Sequence, residues 1–288
     1  MIHAAPRNVP LAERCRVLQV ARSGYYAWCR RPQSARTEAD GRLLQRIRTI
    51  HLESKARYGR LRIHRELRAQ GIRCGQKRVG RLLRRAGLRA EYPRPYRVTT
   101  CGSVSAVAAN RLAQQFEVAA HPRLNQAWTA DLTYLWTGEG WLFLAVILDL
   151  ASRRVVGWAL RPRMDQALTL TALEMALTQR RVPARGGRLH HSDRGVQYTS
   201  AAYQTALTRA GFTTSLSRHG NCYDNAVTES FFATLRKELV HRTSFTTRPQ
   251  AERDIIAFIE GWYNRRRRHS ALDYRSPVEY EQVVHGER

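Results

Sequence analysis

The chain has 288 residues, enough for one large or two smaller domains with a substantial core. Lys plus Arg number 49 against 23 Asp plus Glu, a formal charge of +26 that points to a polyanionic partner, nucleic acid above all. Five scattered cysteines without a C-x-x-C pair argue against a disulfide framework or a zinc finger, and the longest apolar run, WLFLAVIL at 141–148, is too short to span a bilayer.

The charge is unevenly spread. Residues 1–100 hold 25 basic and 6 acidic residues, an excess of +19, whereas the remaining 188 hold 24 and 17, an excess of +7. A basic module therefore precedes a more balanced one. Residues 11–89 read as helices with basic faces. RLRIHRELRAQGI places Leu61, His64 and Leu67 at helical spacing and stops at Gly71. QKRVGRLLRRAGL repeats the pattern with Val79, Leu82 and Leu83 and stops at Gly87. Two short helices around Gly71–Gly75 make a helix-turn-helix-like pair, and the second presents Lys77, Arg78, Arg81, Arg84 and Arg85 to DNA. Residues 1–89 are thus expected to bind DNA. Residues 90–124, with Pro93, Pro95, Pro122 and a Thr/Ser/Gly patch, are expected to form a linker.

From 125 onward the pattern becomes that of a sheet. In WTADLTYLW, Trp128, Ala130, Leu132, Tyr134 and Trp136 alternate with Thr129, Asp131, Thr133 and Leu135, so Asp131 projects from the less apolar face of a strand. WLFLAVILDL reads as a strand buried on both faces, and RRVVGWAL follows after a turn at Ala151–Ser152. Then come a helix (166–181), a strand (188–192), a helix (200–210), a strand (213–217) and a long helix from about 224 to 240. Three antiparallel strands followed by strand–helix alternation predict an α/β fold of the ribonuclease-H type, with a mixed five-stranded sheet. A basic helix and tail close the domain, which spans 125–288.

Asp193, in HHSDRGVQYTS, falls at the C-terminal end of a predicted strand, where α/β sheets place their ligands. Asp131 projects from the first strand. In DNAVTESFFATLRKEL, Asn225 and Glu229 are four apart on one helix face, with Arg236 seven beyond Glu229 and Lys237 beside it. Val227, Phe231 and Leu235 form the opposite, core-facing stripe. Three clustered carboxylates repel one another unless a cation lies between them, and magnesium, a hard ion that takes oxygen ligands, suits them. Two such ions about 4 Å apart would serve in-line phosphoryl transfer without a protein nucleophile.

Asp131, Asp193 and Glu229, with 35 residues between the last two, match the DDE triad of integrases and transposases. The chain most resembles OrfB-type transposases of the insertion-sequence-3 family. RYGRLRIHREL, KRVGRLLRRAGL, WLFLAVILDLASRRVVGWAL, HHSDRGVQYTS, SRHGNCYDNAVTESFFATLRKEL and WYNRRRRHSALDYRSPVEY carry the likeness, from about residue 20 to 281. The resemblance implies a retroviral-integrase-like core that cuts DNA at element ends and joins the 3′-hydroxyl to DNA. It implies Mg²⁺ at the triad, with Mn²⁺ able to substitute. It also implies DNA contact by Arg236, Lys237 and Asn225, oligomers on paired ends, and fusion to an upstream-frame product. Three positions depart from the family pattern. Arg236 stands where Lys is usual, Ala130 where Thr is usual and Asp273 where Gly is usual.

Other residues carry less. His190 and His191 read as polar edge residues rather than metal ligands, Gly195 as a turn former and Tyr198 as packing under the next helix. RRRRHS at 265–270 is either a solvated run or, with Trp262 and Tyr263, a DNA surface. A hydrolysis-only nuclease of the same fold and an inactive DNA-binding copy are the rival functions. No signal-like segment opens the chain, so a cytoplasmic, nucleoid-associated location without a membrane is expected.

Overall fold

The computed structural model of the chain describes residues 10–30, 34–90, 109–180, 182, 187–218 and 222–286. Contacts divide the chain into two units, Met1–Ala90 and Glu91–Arg288.

The first unit is all helical: α1 (Leu11–Val17), α2 (Arg22–Arg30), α3 (Ala35–Glu53), α4 (Arg60–Ala69) and α5 (Gln76–Arg85). Ser34 caps α3 by accepting the Thr37 N–H on its hydroxyl. Leu43, Ile47, Ile63, Leu67, Val79 and Leu82 are buried where α3, α4 and α5 meet; Leu67, Val79 and Leu82 are as expected from their spacing, but in α4 Ile63 takes the core position and Leu61 is exposed. The helix-turn-helix-like pair is α4 and α5, and Gly71 adopts φ +77° just past the end of α4. His64 donates from Nε2 to the Cys74 carbonyl at 2.9 Å, so it braces this connection.

The second unit is built on a five-stranded sheet of order β3-β2-β1-β4-β5. Its strands are β1 (Ala127–Thr137), β2 (Gly140–Asp149), β3 (Val155–Arg161), β4 (Arg188–Ser192) and β5 (Phe212–Leu216). The first three pair antiparallel, while β4 runs parallel to both β1 and β5. One face packs Trp128, Ala130, Ala145, Ile147 and Val156 against α6 (Gln166–Arg180), α7 (Val196–Thr199) and α8 (Ala201–Arg209). The other packs Leu135, Leu142, Leu144, Val146 and Leu148 against α9 (Ala226–Glu238) and α10 (Arg248–Ile256). Alternating side chains of β2 thus feed two cores, as an apolar run without polar interruption must. Gly157 lets α6 approach β3, because a Cβ there would stand 2.2 Å from the Ala172 carbonyl oxygen. After α10 the chain continues as a π-helical turn, Ala257–Tyr263, and ends in α11 (Pro277–Gly286). Buried Glu281 of α11 pairs with Arg154 and Arg180, fastening the C-terminal helix to the sheet.

Several expectations need correction. Of the expected linker, residues 91–108 lie outside the described residues, as does Arg181 of the predicted helix. Residues 109–124 belong to the core instead. Asn110 and Gln114 donate to the fully buried Asp224 carboxylate, Leu112 is buried, and the Ser215 hydroxyl accepts the N–H groups of Arg111 and Leu112. A buried carboxylate requires such donors. The 265–270 run is not one solvated or DNA-facing strip either. Arg267 turns inward to Glu238 at 3.0 Å, Trp262 donates to the same carboxylate, and Tyr263 is buried.

Candidate active site

The β1–β4 pairing aligns Thr129 with His191, and two residues further along each strand stand Asp131 and Asp193. Asp131 is half-buried and accepts the Leu132 N–H at 2.7 Å. Asp193 directly follows β4 and accepts the N–H of Gly195, the N-cap of α7, at 2.9 Å. Gly195 has an ordinary φ of −58°, so the turn itself does not demand glycine. A Cβ there would lie 3.0 Å from Asp193 Oδ1, and its absence leaves room for the carboxylate.

Glu229 sits in the first turn of α9, where the helix dipole favours a negative charge. What aims this helix is Asn225. Expected to touch DNA, it is 5 % exposed, and its amide is spent inside the protein. Its Oδ1 accepts from the hydroxyls of Thr129 and Thr228, and its Nδ2 donates to the Ala130 carbonyl at 3.1 Å. The start of α9 is therefore stitched to β1 at the residue preceding Asp131. The helix face shared by Asn225 and Glu229 meets the strand rather than solvent at its first position.

Arg236 is exposed at the other end of that face, and its Nη2 donates to Thr133 Oγ1 at 2.9 Å, two residues past Asp131. Lys237 is half-buried beside it. His190 and His191 are wholly buried, because β4 lies between β1 and β5 and has no free edge. His190 pairs with the Tyr203 hydroxyl, His191 with Ser215 and Ser217, and burial drives their pKa values down to about 3 and about 4. They are neutral core groups. Tyr198 is buried against Tyr203 of α8, as expected.

The electrostatics concern charge left uncompensated. Burial first, then the Asp193 carboxylate, pushes the Asp131 pKa up to about 8, although the Leu132 N–H and Arg236 oppose this. Burial raises Asp193 and Glu229 as well. The donor set, three carboxylates short of positive charge, has the chemistry of a hard divalent cation site. As placed, it is not a closed cage. Among the described residues no three His, Cys, Asp or Glu side chains stand together as a ready-made metal site.

In the first unit, α5 divides its basic residues between two tasks. Arg78 and Arg81 grip Asp40 of α3 at 2.7 and 2.6 Å, so they hold the helices together. Lys77, Arg84 and Arg85 are exposed. The signals for Asn225 and Asp40 were in the sequence only as polar residues at helix-internal spacing, which reads equally as a solvated face.

Comparison with known proteins agrees with this architecture. An integrase core domain model matches residues 121–222, another so described matches 210–277, and an HTH-like domain model matches 38–96. The chain is 43% identical over 271 residues to the transposase InsF for insertion sequence IS3A of Escherichia coli (strain K12), covering 93% of this chain and 92% of that protein. It is also 43% identical to an insertion element IS600 uncharacterized 31 kDa protein of Shigella sonnei, over 94% of this chain and 98% of that one. Among solved structures, the HTLV-2 integrase catalytic core domain in complex with magnesium is 15% identical, with a TM-score of 0.40 over 54% of this chain and 95% of that one. The catalytic core domain of BIV integrase is 19% identical, with a TM-score of 0.40 over 57% of this chain and 98% of that one. The chain belongs to the IS3 family of transposases, with an integrase catalytic core preceded by an HTH-like region.

Proposed function

We propose that the protein cuts DNA at insertion-sequence ends and joins the exposed 3′-hydroxyl to target DNA, with Asp131, Asp193 and Glu229 as the residues that hold two magnesium ions. Manganese substitutes in the same oxygen-donor set. The chemistry the ions supply is activation of the attacking oxygen and neutralisation of charge on the leaving one. In cleavage a water oxygen bonds to phosphorus, and the strand leaves with a 3′-hydroxyl. In joining that 3′ oxygen bonds to a target phosphorus, and the target's own 3′ oxygen departs.

The protein's residues do the positioning. Asp131 and Asp193 offer their carboxylates from adjacent parallel strands, and Glu229 approaches from a helix pinned by Asn225. The observation that supports the proposal is the parallel β1–β4 register, which carries Asp131 and Asp193 off the same end of the ladder beside a helix start stitched to β1. Arg236, with Lys237 beside it, binds the DNA backbone next to the acids, since a guanidinium holds a phosphate with two parallel bonds. Residues 1–89 bind DNA through Lys77, Arg84 and Arg85 of α5, and residues 125–288 catalyse, with 109–124 packed into that core. The active form is a homo-oligomer on paired element ends, joined to an upstream-frame product and working on the nucleoid.

Strand transfer with end oligonucleotides, with and without the upstream-frame product, tests this. Metal-dependent joining to a target duplex is expected. Hydrolysis without joining would make the protein a nuclease, and binding without either would make it an inactive DNA-binding copy.

A further inference from the structure

The match to an HTH-like domain begins at residue 38, which leaves α1 and α2 outside it. Their connection is specific. The four residues Leu18–Ala21 join the two helices, and Gln19 adopts the left-handed conformation at φ +52°. The Val20 N–H returns to the Cys15 carbonyl at 2.9 Å and the Gln19 N–H to the Arg16 carbonyl at 3.1 Å. This pair of bonds ends α1 sharply and redirects the chain within one turn. Cys15, small and 2 % exposed, is the one buried residue of α1. A short helix, a connection of about four residues and a second helix is the chain order of a DNA-reading helix-turn-helix.

The second helix suits that role. RSGYYAWCR has no acidic residue, and Arg22, Ser23, Tyr26 and Arg30 are exposed along it. Residues near the start of a recognition helix touch base edges, and arginine is the common reader of guanine. In α5, by contrast, Arg78 and Arg81 are held by Asp40, so that helix has fewer basic groups for DNA than its composition suggests.

We infer that Leu11–Arg30 is a second helix-turn-helix, whose helix α2 enters the major groove of element-end DNA through Arg22, Ser23 and Tyr26. Each chain then reads its end through two helices, α2 and α5, at two separate stretches of sequence. This rests on the proposal that the first unit binds DNA. Val17, Val20 and Trp28 are also exposed, at 72%, 42% and 63%, so a protein partner is the competing occupant.

The test uses the full chain, a duplex carrying the outer end of the encoding element, and a scrambled duplex of equal length at fixed salt. Arg22→Ala and Tyr26→Ala should each weaken end binding about tenfold while changing scrambled-duplex binding much less, because a lost base contact costs specificity. Footprinting should lose protection over one stretch only, and Arg84→Ala with Arg85→Ala should lose the other. Both sites are exposed, and Arg22→Glu gives a second, stronger reversal if alanine is too mild. An unchanged end-to-scrambled ratio and an intact footprint in all three would overturn the inference. Dissociation of oligomers by Trp28→Ser with the footprint intact would also overturn it, in favour of a protein contact. If deletion of residues 1–90 leaves DNA affinity unchanged, the underlying proposal fails instead, which is a distinguishable result.

Discussion

Asp131 and Asp193 each stand two residues beyond the last aligned pair of the β1–β4 ladder, Thr129 and His191, so one parallel register sets both carboxylates at the same level. Parallel strands hold this register through backbone bonds alone. That pairing does not depend on a cation.

The burial of Asp131, with the Asp193 charge second, has a pH signature. A carboxyl raised in the folded state favours folding only while protonated. For Asp131 the contribution is complete below about pH 4 and lost as pH rises through about 8. Without divalent ions, Asp131→Asn should therefore melt higher than wild type near pH 9 and match it near pH 4. Magnesium should raise the wild-type Tm and leave this variant nearly unmoved. Thermal scans across pH, with and without the ion, check both halves.

Asn225→Ala should cost about 1–3 kcal/mol, because the Ala130 carbonyl loses its donor in a buried setting. Thr129 and Thr228 keep each other at 2.9 Å, so the fold should survive. Joining should fall sharply while DNA affinity stays within about twofold, as expected for a stitch rather than a phosphate contact. Denaturant melts and binding isotherms on the same preparation separate the two roles.

Much of this was legible beforehand. The unbroken run of β2 and the strand–helix alternation led to the sheet, whereas the apolar stripe read for β1 is not its buried face throughout: Tyr134 and Trp136 are exposed, and Thr133 and Leu135 on the other side are buried. The stripe of Phe231 and Leu235 is the buried face of α9, as its spacing predicts. Less visible was anything that depends on which polar side chain finds a buried partner. Asn225, Asp40 and Asp224 look alike in sequence, yet each is consumed internally by a specific neighbour. The same applies to His190 and His191, whose burial follows from strand order, a long-range property that no local pattern encodes.

The arginines of α5 should separate by effect. Arg78→Ala and Arg81→Ala should each lower the melting temperature of the first unit, because each removes one of the two arginines that hold Asp40. Lys77→Ala, Arg84→Ala and Arg85→Ala should leave melting unchanged and each reduce the salt slope of DNA binding by about 1. Salt titrations beside melting curves give both readouts.

Arg236→Ala should impair end joining far more than stability, since the lost bond to Thr133 is made from an exposed side chain. Arg236→Lys should keep substantial joining, because an ammonium still meets phosphate charge there. Joining rates of the two variants on one preprocessed end decide the matter. A wild-type rate for alanine would move the contact to Lys237.

Single-turnover joining of a 3′-hydroxyl end to a target duplex by Asp193→Asn tests the central claim most directly. The substitution keeps shape and removes one charge from the strand-end pair. The account predicts tight DNA binding with joining below about one-thousandth of the wild-type rate, the scale for loss of a group acting only in the chemical step. Joining within about tenfold of wild type would contradict the assignment of Asp193 to the catalytic site.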